Sequence, residues 1–353
     1  MQKYLIINPF GIGDVLFTTP VIKALKKKHP DCFIGYWCNE RVGELLRGEP
    51  RIDRVFALSR GDIKRTYKSS LLKRMKALLG LINDIRREKF NIVFDYSLDS
   101  RYGLWSKLAG IKRRIGLDYR KRGRFLTDKV GLNDHAGRHI IERNLELLRF
   151  IDIEPLDKSL ELVISEEDKA KARRTLKERA VTPTDNLIGV APGGGASWGE
   201  NAIYKQWPAE KFGQLAGMLI KDPNIRIVLL GNEEDRPLSE CVSRVARVID
   251  FTGKLNLIEL TAIMSELKLL VCNDGGPLHM AVALGVSTVS VFGPVDEKVY
   301  GPYPPSAKHI AVKKDMSCRP CYKDNRFDGC TNDKKCLEGI TVDEVFEKVR
   351  NSL

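Results

Sequence analysis

An acidic residue ends a glycine-containing turn near the start of the chain, in the segment NPFGIGD at residues 8–14. Gly11 and Gly13 allow a tight turn and a close approach of the backbone to a ligand, and a helix start favours negative charge. Asp14 either faces a ligand at the carboxyl end of a predicted parallel strand or is a first-turn acid stabilised by the helix dipole. The segment has neither the third glycine of a dinucleotide fingerprint nor the Gly-Lys-Ser/Thr of a P-loop. Both interpretations of Asp14 stay open on this motif alone.

A second glycine-rich turn, APGGGASW at residues 191–198, is followed by YKQWP at residues 204–208. Free backbone N–H groups together with the Lys205 ammonium make a suitable cradle for a diphosphate. The alternative is an ordinary glycine loop in which Trp207 and Pro208 only fasten the start of a helix. The combination of the loop with Lys205 favours ligand binding.

A third turn, CNDGGPLH at residues 272–279, places two glycines and a proline at a helix start. Its amide groups would face the carboxyl edge of the sheet, where an anion binds. Asp274 is suited to sugar hydroxyls, whereas His279 either reaches a phosphate or packs in the core. Two such turns in one half of the chain predict a ligand site more strongly than either turn alone.

Alternating strands and helices connect these turns, and this alternation predicts parallel sheets with right-handed crossovers. Apolar runs predict strands at residues 4–7, 33–36, 55–58, 92–95, 187–191, 225–230, 269–272 and 288–292. The spacing of apolar and charged residues predicts helices at residues 14–28, 71–87, 137–151, 166–180, 209–220, 237–247, 257–265 and 277–284. We therefore expect an α/β protein with two Rossmann-like domains that face a central cleft.

Taken together, the motifs resemble those of bacterial family-nine glycosyltransferases, the ADP-heptose:lipopolysaccharide heptosyltransferases. The similar segments are GIGDVLFTTP at 11–20, RIG at 114–116, HIIER at 139–143, APGG at 191–194, KQWP at 205–208, NDGGPLH at 273–279 and FGP at 292–294. The resemblance spans nearly the whole chain. It implies a GT-B architecture and an inverting, metal-independent transfer of heptose from ADP-heptose, which requires no cofactor.

The resemblance also implies roles for single residues. Asp14 matches the general base, with Gly13 beside it on the acceptor side. The residues expected to bind the donor nucleotide sugar are Gly193, Gly194, Ser197, Lys205, Asp274, Gly275, Gly276 and His279, with Lys205 on the diphosphate and Asp274 toward the sugar. Glu233 is our preferred acid for the ribose, in the segment GNEED at residues 231–235.

The domain organisation follows from the same pattern. We expect an acceptor-binding domain at residues 1–165, a charged helix and hinge at 166–185, and a donor-binding domain with a cysteine-rich tail at 186–340. Thr341 and Glu344 form a capping-box pattern that predicts a final helix at 341–353. By analogy with GT-B proteins, this helix is expected to return toward the first domain.

The expected reaction moves heptose to the lipopolysaccharide inner core, with Kdo-lipid A or heptosyl-Kdo-lipid A as the acceptor. One alternative is a family member that transfers another nucleotide-activated sugar to an envelope glycan. Another is a nucleotide-sugar epimerase or a non-catalytic binder with the same fold.

The net charge of +13 is concentrated in one segment, since residues 60–124 hold 19 basic and 6 acidic side chains. Such a segment favours a polyanionic partner, although a solvated surface is the plain alternative. It has no recognised nucleic-acid motif and few interleaved aromatic residues. An acceptor with phosphates and carboxylates in an anionic leaflet fits it better. The candidate acceptor residues are Arg60, Lys64, Arg65, Lys68, Lys73, Arg74 and Arg120.

The tail contains Cys318, Cys321, Cys330 and Cys336. A C-x2-C pair with two later cysteines resembles a structural zinc or iron–sulfur site, but the later spacings fit neither common template. Reduced thiols or a structural disulfide are the alternatives. We do not expect catalysis to depend on this feature.

No apolar run approaches the roughly 20 residues that span a bilayer, and the first residues turn polar too early for a secretory signal. The sequence therefore predicts a cytoplasmic monomer, peripheral on the inner face of the inner membrane.

Overall fold

The computed structural model describes residues 1–58, 71–132, 137–323 and 325–353. Four of the predicted acceptor residues, Arg60, Lys64, Arg65 and Lys68, lie outside the described residues. The chain divides into two compact units, Met1–Ser159 and Leu160–Leu353.

The first unit is a parallel six-stranded sheet in the order β3-β2-β1-β4-β5-β6. Its strands are β1 (Lys3–Asn8), β2 (Phe33–Asn39), β3 (Arg54–Leu58), β4 (Ile92–Asp95), β5 (Arg113–Asp118) and β6 (Asp128–Gly131). Its helices are Ile12–Leu16, Thr19–Lys28, Glu40–Arg47, Leu71–Glu88, Ser100–Leu108 and Ile140–Glu146, with a 3-10 turn at Leu147–Ile151. The strand order reverses between β1 and β4, where Ile7 pairs with Asp95. Ligands of such sheets bind beyond the carboxyl ends of the strands at this point.

The second unit repeats this topology with the order β12-β11-β10-β7-β8-β9. Its strands are β7 (Asn186–Ala191), β8 (Ile225–Leu229), β9 (Ile249–Asp250), β10 (Leu269–Asn273), β11 (Ser287–Phe292) and β12 (His309–Lys313), followed by a hairpin of β13 (Tyr322–Lys323) and β14 (Arg326–Phe327). Its helices are Glu166–Glu178, Ala209–Leu219, Arg236–Val245, Leu257–Ser265, Gly276–Ala283, Glu297–Tyr300, Lys335–Glu338 and Val342–Arg350, with 3-10 segments at Ala196–Lys205 and Glu233–Asp235. Here the order reverses between β7 and β10, where Ala191 pairs with Cys272.

The predicted strands are confirmed to within one residue at each end, except that β2 continues three residues beyond the predicted 33–36. The predicted helix at 14–28 is two helices. The break follows Phe17 because the Thr18 hydroxyl donates to the carbonyl of Val15 at 2.7 Å and Pro20 lies in the first turn of the next helix. A side chain that bonds back to its own helix competes with the helical backbone, and proline is accepted only in a first turn.

The boundary between the units differs from the expected hinge at 166–185. Helix Glu166–Glu178 packs on helix Leu257–Ser265, and Arg173 pairs with Glu266 at 3.0 Å, so this helix belongs to the second unit.

The final helix, Val342–Arg350, has the expected capping box of Thr341 and Glu344. It buries Val345 and Val349 in the core of the second unit and packs on helix Ala209–Leu219. Its expected return toward the first domain stays a prediction. None of the described helices has an apolar stretch of the length that spans a bilayer.

Candidate active site

Asp14 lies in the first turn of helix Ile12–Leu16, directly after β1. The buried side chain of Asn8 shapes the preceding turn, because its amide donates to the carbonyl of Asp14 at 2.8 Å and its oxygen accepts from the N–H of Phe10 at 3.2 Å. Asp14 and Gly13 are both half-buried. The turn therefore presents a carboxylate at the carboxyl end of β1, where the strand order reverses.

A second acid, Asp95, lies at the same edge of the first sheet and was not singled out from the sequence. It ends β4, is buried, and accepts from the N–H of Ser97 at 2.9 Å. Burial raises the pKa of the Asp95 carboxyl to about 6. It lines a small cavity with Leu98, Asp99, Ser100, Gly103, Leu117, Arg122, Gly123, Phe125 and Leu126. The sequence signal was an acid that ends a predicted strand next to β1.

Asn273 joins the two glycine turns of the second unit into one site. Its side chain is buried at the end of β10 and donates to the carbonyls of Pro192 at 2.8 Å and Gly193 at 3.0 Å. Its oxygen accepts from the N–H of Trp207 at 2.9 Å. One amide thus holds together both glycine turns and the segment at residues 204–208.

Lys205 and Asp274 form an ion pair within this site. Nζ of Lys205 lies 2.6 Å from Oδ2 of Asp274, and only 10% and 5% of the two side chains are exposed. The same ammonium lies 4.9 Å from the centroid of the Trp198 ring. Two buried charges are retained in a protein only when each compensates the other. The resemblance implies separate roles for Lys205 and Asp274 on the donor, and the structure pairs them.

The glycine loop after β7 is shaped by its neighbours. Gly194 and Gly195 have φ angles of 139° and 74°, which side-chain-bearing residues rarely adopt. A Cβ at Gly193 would lie 2.1 Å from Oδ1 of Asp235, so that position has no room for a side chain. Ser197 is exposed in the 3-10 segment that follows. The loop therefore leaves backbone amides, rather than side chains, at the edge of the sheet.

The third turn continues from Asp274 into the helix Gly276–Ala283. Gly275 is its N-cap residue, in an extended conformation, and the helix N-terminus lies at the carboxyl end of β10. His279 is buried in the first turn of that helix. The turn thus adds the amide end of a helix dipole to the site.

The acid in contact with the glycine loop is Asp235 rather than Glu233. Glu233 is exposed and pairs with Arg236 at 2.5 Å, and hydrogen bonds from Arg236 lower the pKa of its carboxyl. Asp235 lies against Gly193 and Gly231, and burial raises its pKa. The assignment of ribose binding to Glu233 stays a prediction.

The remaining acceptor candidates lie on the first unit. Lys73 and Arg74 belong to the first turn of helix Leu71–Glu88. Arg120 is exposed, and its guanidinium lies 5.0 Å from the ring centroid of Tyr119. Their role as an acceptor surface stays a prediction.

The four tail cysteines line one small cavity together with Tyr204, Pro294, Phe327, Asn332, Lys334 and Lys335. All eight cysteines of the chain are free thiols. Burial, with the neighbouring cysteines, raises the pKa of the Cys321 thiol to about 11. Among the residues described, no group of three or more His, Cys, Asp or Glu side chains is arranged to hold a metal ion. A zinc ion or iron–sulfur cluster at these cysteines is therefore not supported.

Comparison with known proteins finds chains that match this one over most of their length. The chain is 25% identical over 299 residues to lipopolysaccharide heptosyltransferase 3 of Escherichia coli K12, which covers 82% of each protein. A family 9 glycosyl transferase from Veillonella parvula superposes with a TM-score of 0.81 at 24% identity, covering 99% of this chain and 97% of that one. E. coli ADP-heptose LPS heptosyltransferase II superposes with a TM-score of 0.78 at 20% identity, covering 99% and 98%.

These superpositions confirm the α/β GT-B fold with two Rossmann-like units. The model of one protein family, glycosyltransferase family 9 (heptosyltransferase), matches residues 78–331, which include both glycine turns of the second unit. The chain belongs to glycosyltransferase family 9, the heptosyltransferases.

Proposed function

We propose that this protein transfers heptose from ADP-heptose to the inner core of lipopolysaccharide. The observation that carries the proposal is the buried pair of Lys205 and Asp274 among backbone amides, at the point where the strand order of the second sheet reverses. A cation and free amides suit a diphosphate. The lipopolysaccharide heptosyltransferases among the relatives support the sugar and the acceptor.

The donor diphosphate would bind beside Lys205, between the glycine loop and the amide end of helix Gly276–Ala283. Asp274 balances the Lys205 charge before the donor arrives and is then well placed to accept hydrogen bonds from sugar hydroxyls. As the bond from the anomeric carbon to the ADP oxygen breaks, negative charge grows on the leaving group. The ammonium and the amides stabilise that charge, so we propose that the transfer needs no metal ion.

Asp14 would act as the general base. Its carboxylate takes the proton of the acceptor hydroxyl while the hydroxyl oxygen forms a bond to the anomeric carbon, and ADP leaves from the opposite face. One displacement of this kind inverts the configuration. No second acid is required, because ADP leaves as a stabilised anion and does not have to be protonated.

The basic segment of the first unit supports an anionic acceptor, either Kdo-lipid A or its heptosylated form, at an anionic membrane surface. Part of its charge is already used locally, since Arg101 pairs with Asp99 and Arg113 with Asp128. Among the residues that the structure describes, Arg120 is exposed and is our candidate for binding acceptor phosphates.

The test is an assay of the purified chain with ADP-heptose, UDP-sugars and GDP-sugars against Kdo-lipid A and heptosyl-Kdo-lipid A. We expect acceptor-dependent release of ADP and a product heavier by one heptose, unchanged by EDTA. General-base catalysis contributes about 10²–10⁴-fold, so Asp14→Asn should lose turnover by that factor and keep its affinity for ADP-heptose. Release of ADP without acceptor would argue against a transferase, and full turnover by Asp14→Asn would remove Asp14 from its role.

A further inference from the structure

The hairpin of β13 and β14 in the cysteine-rich tail presents two aromatic rings to the glycine-loop segment. Tyr322 and Phe327 are cross-strand partners. Their ring centroids lie 5.0 Å and 4.9 Å from that of Trp198, with interplanar angles of 30° and 33°. Phe327 also lies 5.2 Å from Tyr204, the residue before Lys205. The hairpin thus contacts the 3-10 segment Ala196–Lys205 near both of its ends.

Trp198 in turn contacts the cation of the donor site. Its ring lies 4.9 Å from Nζ of Lys205, on which Oδ2 of Asp274 also converges at 2.6 Å. A lysine has a flexible four-carbon stem, so the position of its ammonium depends on what surrounds it. The indole and the Asp274 carboxylate together define that position.

The hairpin is itself fixed to the core of the second unit. The N–H groups of Cys321 and Tyr322 both donate to the carbonyl of Pro294, at 2.9 Å and 3.0 Å. The Arg319 guanidinium donates to the carbonyls of Gly293 at 2.5 Å and Val295 at 3.1 Å, just after β11. These hydrogen bonds therefore attach the base of the hairpin to the residues that directly follow the buried strand β11.

We propose that this hairpin is a positioning element of the donor site, in which Tyr322 and Phe327 hold Trp198 against Lys205 and so fix the ammonium that receives the diphosphate. The proposal rests on the proposed donor site. It assigns the tail a function in binding nucleotide diphosphates, beyond covering the core. It also explains why a segment with no catalytic group contacts the glycine loop.

The test compares ADP binding by isothermal titration in the full chain and in Tyr322→Leu/Phe327→Leu. A cation–aromatic contact changes binding by a factor of about 3 to 30, and we expect ADP affinity to fall by that factor. Adenosine, which lacks phosphates, should bind both proteins equally. Phe346→Leu is the matched control, because Phe346 lies in the same unit on the final helix, and it should leave both ligands unchanged. Trp198→Phe should retain most of the ADP affinity, since it keeps an aromatic ring.

Two further results separate positioning from a general structural role. In a Lys205→Met background the hairpin substitutions should have no additional effect on ADP, and if that variant does not fold the comparison of ADP with adenosine decides alone. Unchanged ADP affinity in Tyr322→Leu/Phe327→Leu, or an equal loss for adenosine, would overturn the proposal while leaving the donor site intact. Failure of the unaltered chain to bind ADP would overturn the proposed function and this inference together.

Discussion

Replacing Lys205 with Met would expose how strongly the buried ion pair holds the second unit together. Met keeps a similar stem length but removes the charge, which leaves the Asp274 carboxylate buried with no cation 2.6 Å away. Removing one partner of a buried pair costs about 3–5 kcal/mol. In a unit of about 150–250 residues, each kcal/mol corresponds to about 2–4 °C. We therefore expect the melting temperature of the second unit to fall by about 6–20 °C.

The matching variant Lys205→Met/Asp274→Asn should recover most of that loss, because no charge is then left buried without a partner. Asp274→Asn alone should also be destabilised, because the Lys205 ammonium is then buried without its counter-charge. The measurement is thermal unfolding by circular dichroism, with and without ADP, because two units can unfold separately and ADP identifies the second transition.

Lys171→Met is the control for the comparison of the Lys205 and Asp274 variants. Lys171 pairs with Glu167 at 2.8 Å, but the two side chains are 54% and 76% exposed. Exposed pairs are screened by solvent and contribute little, so the melting temperature of Lys171→Met should stay close to that of the unaltered chain. A melting temperature of Lys205→Met within the range of this control, or additive losses in the double variant, would refute the reasoning about burial.

Asp95 and Gly193 carry the remaining predictions. The pKa of Asp95 is raised to about 6, against about 3.9 in an unfolded chain, so the folded state binds the proton more tightly and stability falls as pH rises from about 4 to about 6. Asp95→Asn should lose this dependence, so thermal melts should show a gain in stability over the unaltered chain of about 3 kcal/mol at most at pH 7.5 but only about 1 kcal/mol at pH 4.5, where the folded-state carboxyl is still mostly protonated. Equal gains at both pH values would contradict the assignment. Gly193→Ala would bring a methyl group to within 2.1 Å of Asp235, so the loop must shift. Isothermal titration should then show ADP affinity at least about tenfold weaker. The control is Gly285→Ala, at a glycine that has open space around it but a positive φ, and this change should lower stability and leave ADP affinity unchanged.

The sequence predicts the parts of the fold that have a strong local pattern. The apolar runs of β1, β7 and β10 and the glycine turns after them are visible without coordinates, because a buried parallel strand needs consecutive apolar residues. Strand β5 was missed since it begins with Arg113 and Arg114, whose long side chains contact neighbouring carbonyls. The hairpin of β13 and β14 was missed because strands of two residues have no periodicity to detect.

The sequence predicts which residues belong to the site better than it predicts which of them contact each other. Lys205 and Asp274 were both selected as donor residues, but nothing in their spacing shows that they form a pair, because the contact depends on β7 and β10 being neighbours in the sheet. Asn273 was passed over for the same reason, since its hydrogen bonds reach back to Pro192 and Gly193. Local patterns predict which residues lie at a sheet edge, whereas the strand order decides which of them meet.

The two units share one sheet topology but place groups of opposite charge at the point where the strand order reverses. Both sheets reverse their strand order between the first and fourth strands of the unit, and the first presents the carboxylates of Asp14 and Asp95 there, whereas the second presents Lys205 with backbone amides. The net charge of each half does not follow these local groups. Residues 166–353 hold 26 basic and 26 acidic side chains, and the excess of +13 lies in residues 1–165. A broad basic field can concentrate an anionic acceptor, but it falls off over about 10 Å and does not distinguish one phosphate from another. We infer that selection of the donor depends on the few placed groups around Lys205, and that selection of the acceptor depends more on the field. Raising the ionic strength should therefore raise the KM for the acceptor more than that for the donor.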